Sequence, residues 1–278
     1  MKLRLSIALL IIALVVPFSV TAESSKPVLT FGLVPQQSAS RLAQLWSPIF
    51  KYIGKRSGVE LIFATAPSIP EFEKRCAMGE YDIAYMNPYH YTAFHENPGY
   101  EAFAKQKDKR IKGIIVAKKG SAVKDLQDLK HEVLAFPAPA AFAASVLTRA
   151  KLARENIDFS AEYVRSHDSV YRSVAKGLYV VGGGIERTFK NVDPSIQSQL
   201  YVLWKSKGYT PHAFAAHPGV DKTIVKRIQQ VMLNMSQDEE GKRLLKNINF
   251  KGIEAAKNKD WDDVRHLGIE LLERLIQG

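Results

Sequence analysis

The sequence predicts an α/β protein of two lobes, each a mainly parallel sheet flanked by helices. Strand-like and helix-like segments alternate between residues 29 and 86, which is the order of crossover connections between parallel strands. A second series of the same kind occupies roughly residues 119–205. Once an N-terminal leader is set aside, about 250 residues remain, enough for one large or two medium hydrophobic cores.

The simplest arrangement places each series in its own lobe, with the chain crossing between the lobes twice. The first lobe is then discontinuous, with residues 23–110 and 212–278, and the second lobe contains residues 111–211. Hinge strands are expected near residues 104–118 and 201–216.

The first series opens with a strand at residues 29–35. The run 41–56 follows with apolar residues at helical spacing, which predicts an amphipathic helix: Leu42, Leu45, Trp46, Ile49, Phe50 and Ile53. Strands at residues 59–64 and 82–86 then flank a helix at residues 70–78.

The second series and the tail follow the same logic. Extended segments at 100–105 and 111–118 precede a short helix at 121–130, a strand at 132–136, a helix from 139 or 140 to 154, a strand at 161–165 and a helix at 168–176. Two further extended segments are predicted at residues 201–205 and 212–217. They lead to helices at residues 221–235, 238–246 and 260–276.

Residues 1–22 have the pattern of a cleavable export signal. Lys2 and Arg4 precede an apolar run, and residues 20–22 are a small-residue cleavage site. The apolar run is short for a membrane span of about 20 residues, although an uncleaved anchor is the alternative. The lone cysteine, Cys76, excludes an internal disulfide. We therefore expect a soluble periplasmic protein, and a monomer.

The chain is basic, with a formal charge of +11, and its densest basic run lies at residues 105–119. Export argues against a nucleic-acid partner, so the run is interpreted as a solvated face or as a surface that attracts anionic ligands or envelope surfaces. His90 and His95 are five residues apart, as are His212 and His217, a spacing that suits no metal site on one helix or strand face. No catalytic constellation, metal site or cofactor is predicted.

The most informative stretch is residues 81–89, a buried strand that runs through Pro88 into a helix. Ligands of open α/β sheets bind beyond such carboxyl ends of strands, where helix N-termini present free N–H groups. Asn87 and Tyr89 are therefore candidate walls of a binding cleft. The alternative is an aromatic strand end packed into the core.

Several segments together resemble the phosphate, phosphite and phosphonate substrate-binding proteins of ABC transporters. They are residues 32–35, 46–53, 81–89, 125–130 and 166–170, in that order. The resemblance implies a type II periplasmic binding fold, in which two lobes close over a ligand. It also implies an oxyanion held by a Tyr, by a Ser-Thr-Ser-Gly loop at a helix N-terminus and by a His. Tyr89 matches the first of these and His167 the last.

The anion-binding loop departs from the family pattern. Residues 136–144 read Phe-Pro-Ala-Pro-Ala-Ala-Phe-Ala-Ala, so Ala141, Phe142 and Ala143 replace the three hydroxyl donors. Each hydrogen bond lost to a charged oxygen is worth about 1.5–3 kcal/mol, and two or three losses weaken oxyanion binding by several orders of magnitude. We expect a changed ligand preference, with the following candidate binding residues: Gln36, Asn87, Tyr89, Phe142 and His167.

Each of these candidates has a structural alternative. A solvated loop position is the alternative for Gln36, core packing for Phe142, and a strand-end histidine bonded to the backbone for His167. At the level of function, the leading hypothesis is a solute-binding protein that delivers a small anionic or polar ligand to an ABC permease. The other is a sensory protein that reports ligand state to a membrane receptor such as a histidine kinase.

Overall fold

The computed structural model describes residues 26–272, and the predicted export signal at residues 1–22 lies outside them. Eleven strands are found in the described part of the chain. In chain order they are β1 Val28–Leu33, β2 Glu60–Ala64, β3 Ile83–Met86, β4 Glu101–Gln106, β5 Gly113–Lys118, β6 Val133–Phe136, β7 Ser160–Tyr163, β8 Val181–Ile185, β9 Leu200–Lys205, β10 Ala213–Ala216 and β11 Ile253–Ala255.

Helices connect these strands and cover both sheets. The α-helices are α1 Ala39–Ser57, α2 Ile69–Ala77, α3 Pro88–Glu96, α4 Leu147–Arg154, α5 His167–Ala175, α6 Glu186–Lys190, α7 Pro194–Gln197, α8 Lys222–Asn234, α9 Glu239–Asn247 and α10 Asp262–Arg265. Single 3₁₀ turns occur at Gln127–Leu129, Met235–Gln237 and Asn258–Trp261, and a π-helical turn at Phe142–Val146 leads into α4.

The strands form two sheets, one in each lobe. The first lobe has the order β11-β4-β10-β3-β1-β2, and the second has β7-β6-β8-β5-β9. Two α/β sheets flanked by helices confirm the predicted fold class, but the expectation that each sheet is mainly parallel is wrong. Strand β1 is parallel to β2 and β3, whereas β10 is antiparallel to β3 and β4. The chain enters β10 directly from the second lobe, without a crossover helix, and therefore runs against its neighbours.

The chain passes between the sheets twice, at residues 107–112 and 206–212. An isolated bridge pairs Ile111 with Tyr209, so the two crossings lie side by side. Both lie inside the segments predicted as hinge strands. Their action as a hinge, and the lobe boundaries at residues 110 and 211, stay predictions.

The helix α1 packs on the first sheet with the face that the sequence pattern predicted. Trp46 is 3% exposed and meets the Tyr85 ring at 5.1 Å, while Phe50 stacks on Phe31 at 4.5 Å. Aromatic pairs of this kind contribute about 0.5–1.5 kcal/mol beyond the area that they bury. This packing fixes the helix start, and with it residues 36–38, at the lobe interface.

The helix predicted at residues 260–276 is wrong over residues 260–272, and the rest of that prediction lies outside the described residues. The chain instead forms the 3₁₀ turn Asn258–Trp261 and the short helix α10, and Gly268 adopts a left-handed φ of 58°. A left-handed residue ends a right-handed helix, so the apolar stripe from Trp261 to Leu271 does not lie on one helix face. Within residues 26–272, no helix has the length and apolar character to cross a membrane.

Candidate ligand-binding cleft

Gln36 holds the two lobes together through both its backbone and its side chain. Its carbonyl oxygen accepts a hydrogen bond from the backbone N–H of His167 at 3.1 Å. Its Oε1 accepts from the Arg187 guanidinium at 2.6 Å, and its Nε2 lies 2.6 Å from Nε2 of His212. The segment that follows β1 is thus tied to the starts of α5 and α6, which belong to the second lobe.

These contacts also fix a proton position. A guanidinium only donates, so Oε1 of Gln36 must face Arg187 and the amide Nε2 must face His212. Because the amide nitrogen donates, Nε2 of His212 accepts and carries no proton. His212 is therefore neutral, with its proton on Nδ1.

Asn87 makes a second link between the lobes. Its Oδ1 caps α3 by accepting the His90 backbone N–H at 2.8 Å, and its Nδ2 donates to the carbonyl oxygen of Ala140 at 3.3 Å. Pro88 occupies the first position of α3, where a missing N–H costs little. The exit of β3 therefore contacts the alanine-rich segment directly.

The alanine-rich segment forms the opposite wall as a π-helical turn against the second sheet. A Cβ on Gly113 would lie 2.1 Å from the Ala143 carbonyl oxygen, and a Cβ on Gly183 would lie 2.0 Å from that of Ala144. Only glycine permits so close an approach of backbone to backbone. Gly113 lies within β5 and Gly183 within β8, so two strands of the second sheet hold the wall.

A small cavity lies between these groups. Its volume open to the centre of a water molecule is about 10 Å³, about the room that one water needs. Its lining residues come from both lobes: Val34, Gln36, Ile69, Asn87, Ile111, Ala141, Phe142, Ala143, Ala144, His167, Ile185 and His212. The lobes are closed, and side chains fill most of the cleft.

One positive charge, that of Arg187, is bonded directly to a residue that lines the cavity. Burial, with a contribution from Arg187, lowers the pKa of His167 to about 3. Burial lowers the pKa of His212 well below its usual range, and Arg187 again contributes. Both imidazoles are therefore neutral at pH 7. Among the residues that the structure describes, Arg187 forms no ion pair, and its guanidinium lies 5.8 Å from the centre of the Tyr85 ring.

Two buried polar atoms at or near the cavity have no partner. One is Nδ1 of His167, which lines the cavity and is 2% exposed, and the other is Oγ of Ser145, which is 0% exposed and lies in the π-helical turn beside the cavity. Unpartnered buried polar atoms are uncommon in native proteins. They mark positions where a ligand or a water molecule can supply a hydrogen bond.

The structure brings four of the five predicted residues together. Gln36, Asn87, Phe142 and His167 all line the cavity. Tyr89 is not among the lining residues: its hydroxyl oxygen accepts a hydrogen bond from the backbone N–H of Leu272 at 2.9 Å. The C-terminal segment thus contacts the phenol that the family pattern assigns to the ligand. Ligand binding by any of the five stays a prediction.

Sequence reasoning missed Arg187 and His212 as cleft residues. Arg187 follows the end of β8 by two residues, and His212 directly precedes β10. A charged residue just beyond a glycine-rich buried strand is a signal that could have identified Arg187. His212 was considered only as half of a metal pair with His217, and it carried no other local signal.

Two lobes, two crossings and a cavity at the lobe interface define the class of two-lobe solute-binding proteins. A family model described as the periplasmic substrate-binding protein of phosphonate ABC transporters matches residues 31–261. The chain therefore belongs to this family, whose members are transport components and not enzymes.

Individual relatives agree with this assignment. The chain is 21% identical to the phosphate-import protein PhnD of Mycolicibacterium smegmatis, over 90% of this chain and 88% of that protein. Among solved structures, a binding protein component of an ABC phosphonate transporter from Pseudomonas aeruginosa has a TM-score of 0.81, with 18% identity over 87% of this chain and 86% of that chain. PhnD1 from Prochlorococcus marinus in complex with methylphosphonate has a TM-score of 0.79, with 18% identity over 87% and 97%.

Proposed function

We propose that this substrate-binding protein captures a small monoanion in the cleft between its lobes and delivers it to an ABC permease. Its preference would be shifted away from phosphonates. The observation that carries the proposal is the wall Ala141–Ala144, which offers methyl groups and the Phe142 ring where the family pattern has three hydroxyls. Phe142 is 1% exposed and packs edge-on against Tyr209 at 5.5 Å.

The charge of the cleft supports a monoanion. Arg187 is its one cation among the lining and directly bonded residues, and both neighbouring histidines are neutral. One guanidinium balances one negative charge. A buried dianion would keep an uncompensated charge, which is costly in a desolvated site.

The size of the cleft supports a small ligand. With about 10 Å³ open inside the closed form, a tetrahedral oxyanion with a substituent must hold the lobes further apart. It would then break contacts such as Asn87 to Ala140 and His167 to Gln36. A ligand with a planar carboxylate requires less separation of the lobes, and the apolar part of such a ligand can face Phe142.

The test is isothermal titration of the mature protein with acetate, methanesulfonate, phosphate, phosphite and methylphosphonate at pH 7.5. We expect acetate to bind, methanesulfonate to bind less tightly because it is tetrahedral, and methylphosphonate to give no binding at concentrations of about 10 μM. Replacing Arg187 by Met should abolish anion binding, whereas Arg154→Met, an exposed change on α4, should leave it intact. Micromolar binding of methylphosphonate would overturn the proposed shift in preference.

The sensory alternative uses the same cleft but a different membrane partner. A permease and an ATPase encoded next to this chain would support transport, and a sensor kinase would support signalling. The monomeric state likewise stays a prediction, which light scattering would test.

A further inference from the structure

A groove separates helix α1 from the outer strand of the first sheet. We call it the edge groove and define it by Phe50, Lys51 and Lys55 of α1, by Leu61 and Phe63 of β2, and by Lys26. Its volume is about 470 Å³, the size of many binding sites for small ligands. None of these residues lines the cavity between the lobes, so the edge groove is a separate surface.

Strand β2 has a free edge beside this groove. It is the last strand of its sheet, and within residues 26–272 it pairs only with β1, in a regular ladder without a bulge. The Glu60 backbone N–H donates to the Pro27 carbonyl oxygen at 2.8 Å, so alternation along the strand turns the N–H and C=O groups of Phe63 to the free side. Strand β2 contains no proline. It therefore lacks the bulges and prolines that block many natural edges.

Apolar side chains lie on both faces of this edge. On the side of α1, Leu61 and Phe63 are only half-buried, and the Phe63 ring centre lies 6.5 Å from that of Phe50. On the opposite face of β2, the side chain of Ile62 is 45% exposed. An exposed edge of this composition is a template for a further strand.

Lysines form the rim of the groove on the side of α1. Lys51 and Lys55 lie one turn apart on the helix, Lys26 precedes β1, and all three are exposed. None of them forms an ion pair in the part of the chain that the structure describes. By contrast, Lys151 of α4 pairs with Glu155 on its own helix. The rim therefore carries positive charge that no neighbouring carboxylate balances.

Charge and backbone together select the kind of partner. Glu60 also lines the groove, but alternation along β2 turns its side chain to the face of Ile62, away from the lysines. An extended polypeptide can use the free backbone groups of β2, and acidic side chains on it can face the lysines. A second copy of this chain is disfavoured at the same edge, because the lysines of the two copies would repel one another.

We propose that the edge groove binds an extended segment of a partner protein in which acidic and apolar residues alternate. The segment adds a strand to β2 through the free N–H and C=O groups of Phe63. Its acidic side chains face Lys51 and Lys55, and its apolar side chains lie beside Ile62 on the other face. This surface is separate from the cleft of the proposed function and does not rest on it.

The experiment is an NMR titration of the mature protein with the synthetic peptide acetyl-Glu-Val-Glu-Val-Glu-Val-amide. We expect the backbone amide signals of residues 61–64 to shift in a saturable manner, with a Kd of about 1 mM or tighter. The same peptide with Gln in place of each Glu should bind about threefold more weakly or worse, because it lacks the charges that face the lysines. The acidic peptide with every backbone nitrogen methylated should not bind, because it cannot donate to β2.

Two matched variants locate the charge effect. Lys51→Gln/Lys55→Gln should weaken the acidic peptide about threefold or more. Lys130→Gln/Lys176→Gln makes the same change of net charge at exposed positions of the second lobe and should leave the affinity nearly unchanged.

Three results would overturn the proposal. The first is that no signal of residues 61–64 saturates by about 10 mM acidic peptide. The second is that the two lysine variants weaken binding equally, or that the methylated peptide binds as well as the acidic one. The third is that the same signals shift with protein concentration in the absence of peptide, which would identify a second copy of this chain as the occupant.

Discussion

Arg187 donates a hydrogen bond to Oε1 of Gln36 at 2.6 Å, across 151 residues of chain and from one lobe to the other. The same guanidinium lowers the pKa of both His167 and His212. One side chain therefore sets the charge of the cleft, the protonation of its histidines and part of the lobe contact.

Replacing Arg187 by Met should raise the pKa of His167 and of His212, because a nearby positive charge disfavours the imidazolium form. It should also lower the free energy of unfolding by about 1.5–3 kcal/mol, the worth of a hydrogen bond to a charged group. Histidine NMR titration and urea unfolding measure the two effects. Arg154→Met serves as the control, and unchanged histidine pKa values in Arg187→Met would contradict the electrostatic account.

His167 should make the protein less stable in acid. Its pKa is about 3 in the folded protein, below the unfolded value. Between about pH 6.5 and pH 3, the unfolded state therefore binds more protons, and stability falls as pH falls. For this one group, the free energy of unfolding changes by up to about 1.4 kcal/mol per pH unit. The full contribution of His167 to that free energy is present above pH 6.5.

The variant His167→Gln isolates that contribution. It removes the titrating ring and keeps the backbone N–H that donates to Gln36. The unfolding free energy of the native protein minus that of the variant should therefore fall as the pH drops from 7 to 4, as measured by urea unfolding at each pH. The raised pKa of Asp168, caused mainly by burial, acts in the opposite direction in both proteins and cancels from this difference. A difference that is independent of pH would show that burial does not lower the pKa of His167.

Local patterns in the sequence predicted most of the fold because burial imposes a period on each element. The apolar positions of α1 turned out to be buried, with Trp46 and Ile49 at 3% and 1% exposure. The same logic failed at residues 260–272, where helical spacing was present but Gly268 adopts φ 58°. The period of the apolar residues indicates which side chains are buried. It does not indicate where the backbone changes direction.

The cleft was predictable only where a residue sits at a strand exit. Asn87 and His167 occupy such positions and line the cavity. Arg187 reaches Gln36 only because the lobes close, a contact that depends on distant parts of the chain. Tyr89 was assigned to the cleft by its position after a strand exit and by the resemblance, but its hydroxyl contacts Leu272 because the C-terminal segment folds over α3.

Restoring the hydroxyl groups of the wall should restore phosphonate binding. In Ala141→Ser/Ala143→Ser, each added hydroxyl can donate to an anion, so we expect methylphosphonate affinity to rise by about tenfold or more. Adding Phe142→Thr should raise it further but lower the stability by about 3 kcal/mol, since this change empties the space beside Tyr209. Titration and urea unfolding measure both. The control Ala150→Ser adds a hydroxyl on α4 away from the cavity and should change neither the methylphosphonate affinity nor the stability. An unaltered affinity in Ala141→Ser/Ala143→Ser would refute the role assigned to the wall.

The close contact between the wall and the second sheet predicts a large loss of stability when a glycine of that sheet is replaced. A Cβ at position 183 would lie 2.0 Å from the Ala144 carbonyl oxygen and 2.6 Å from the Phe136 ring. The first of these neighbours is backbone and cannot rotate away, so Gly183→Ala should lower the free energy of unfolding by about 3 kcal/mol or more. It should also push residues 142–146 from the sheet into the cavity and weaken anion binding.

Gly252→Ala is the matched control for that change. Its Cβ would meet Lys107 at 3.4 Å, an ordinary contact with a flexible side chain. Alanine also restricts the unfolded chain more than glycine does, so this variant should be neutral or stabilised by up to about 1 kcal/mol. Urea unfolding followed by tryptophan fluorescence measures both variants. Equal effects at the two positions would mean that the wall is not held against β8 by backbone contact, and that the closed cleft owes its small volume to side chains alone.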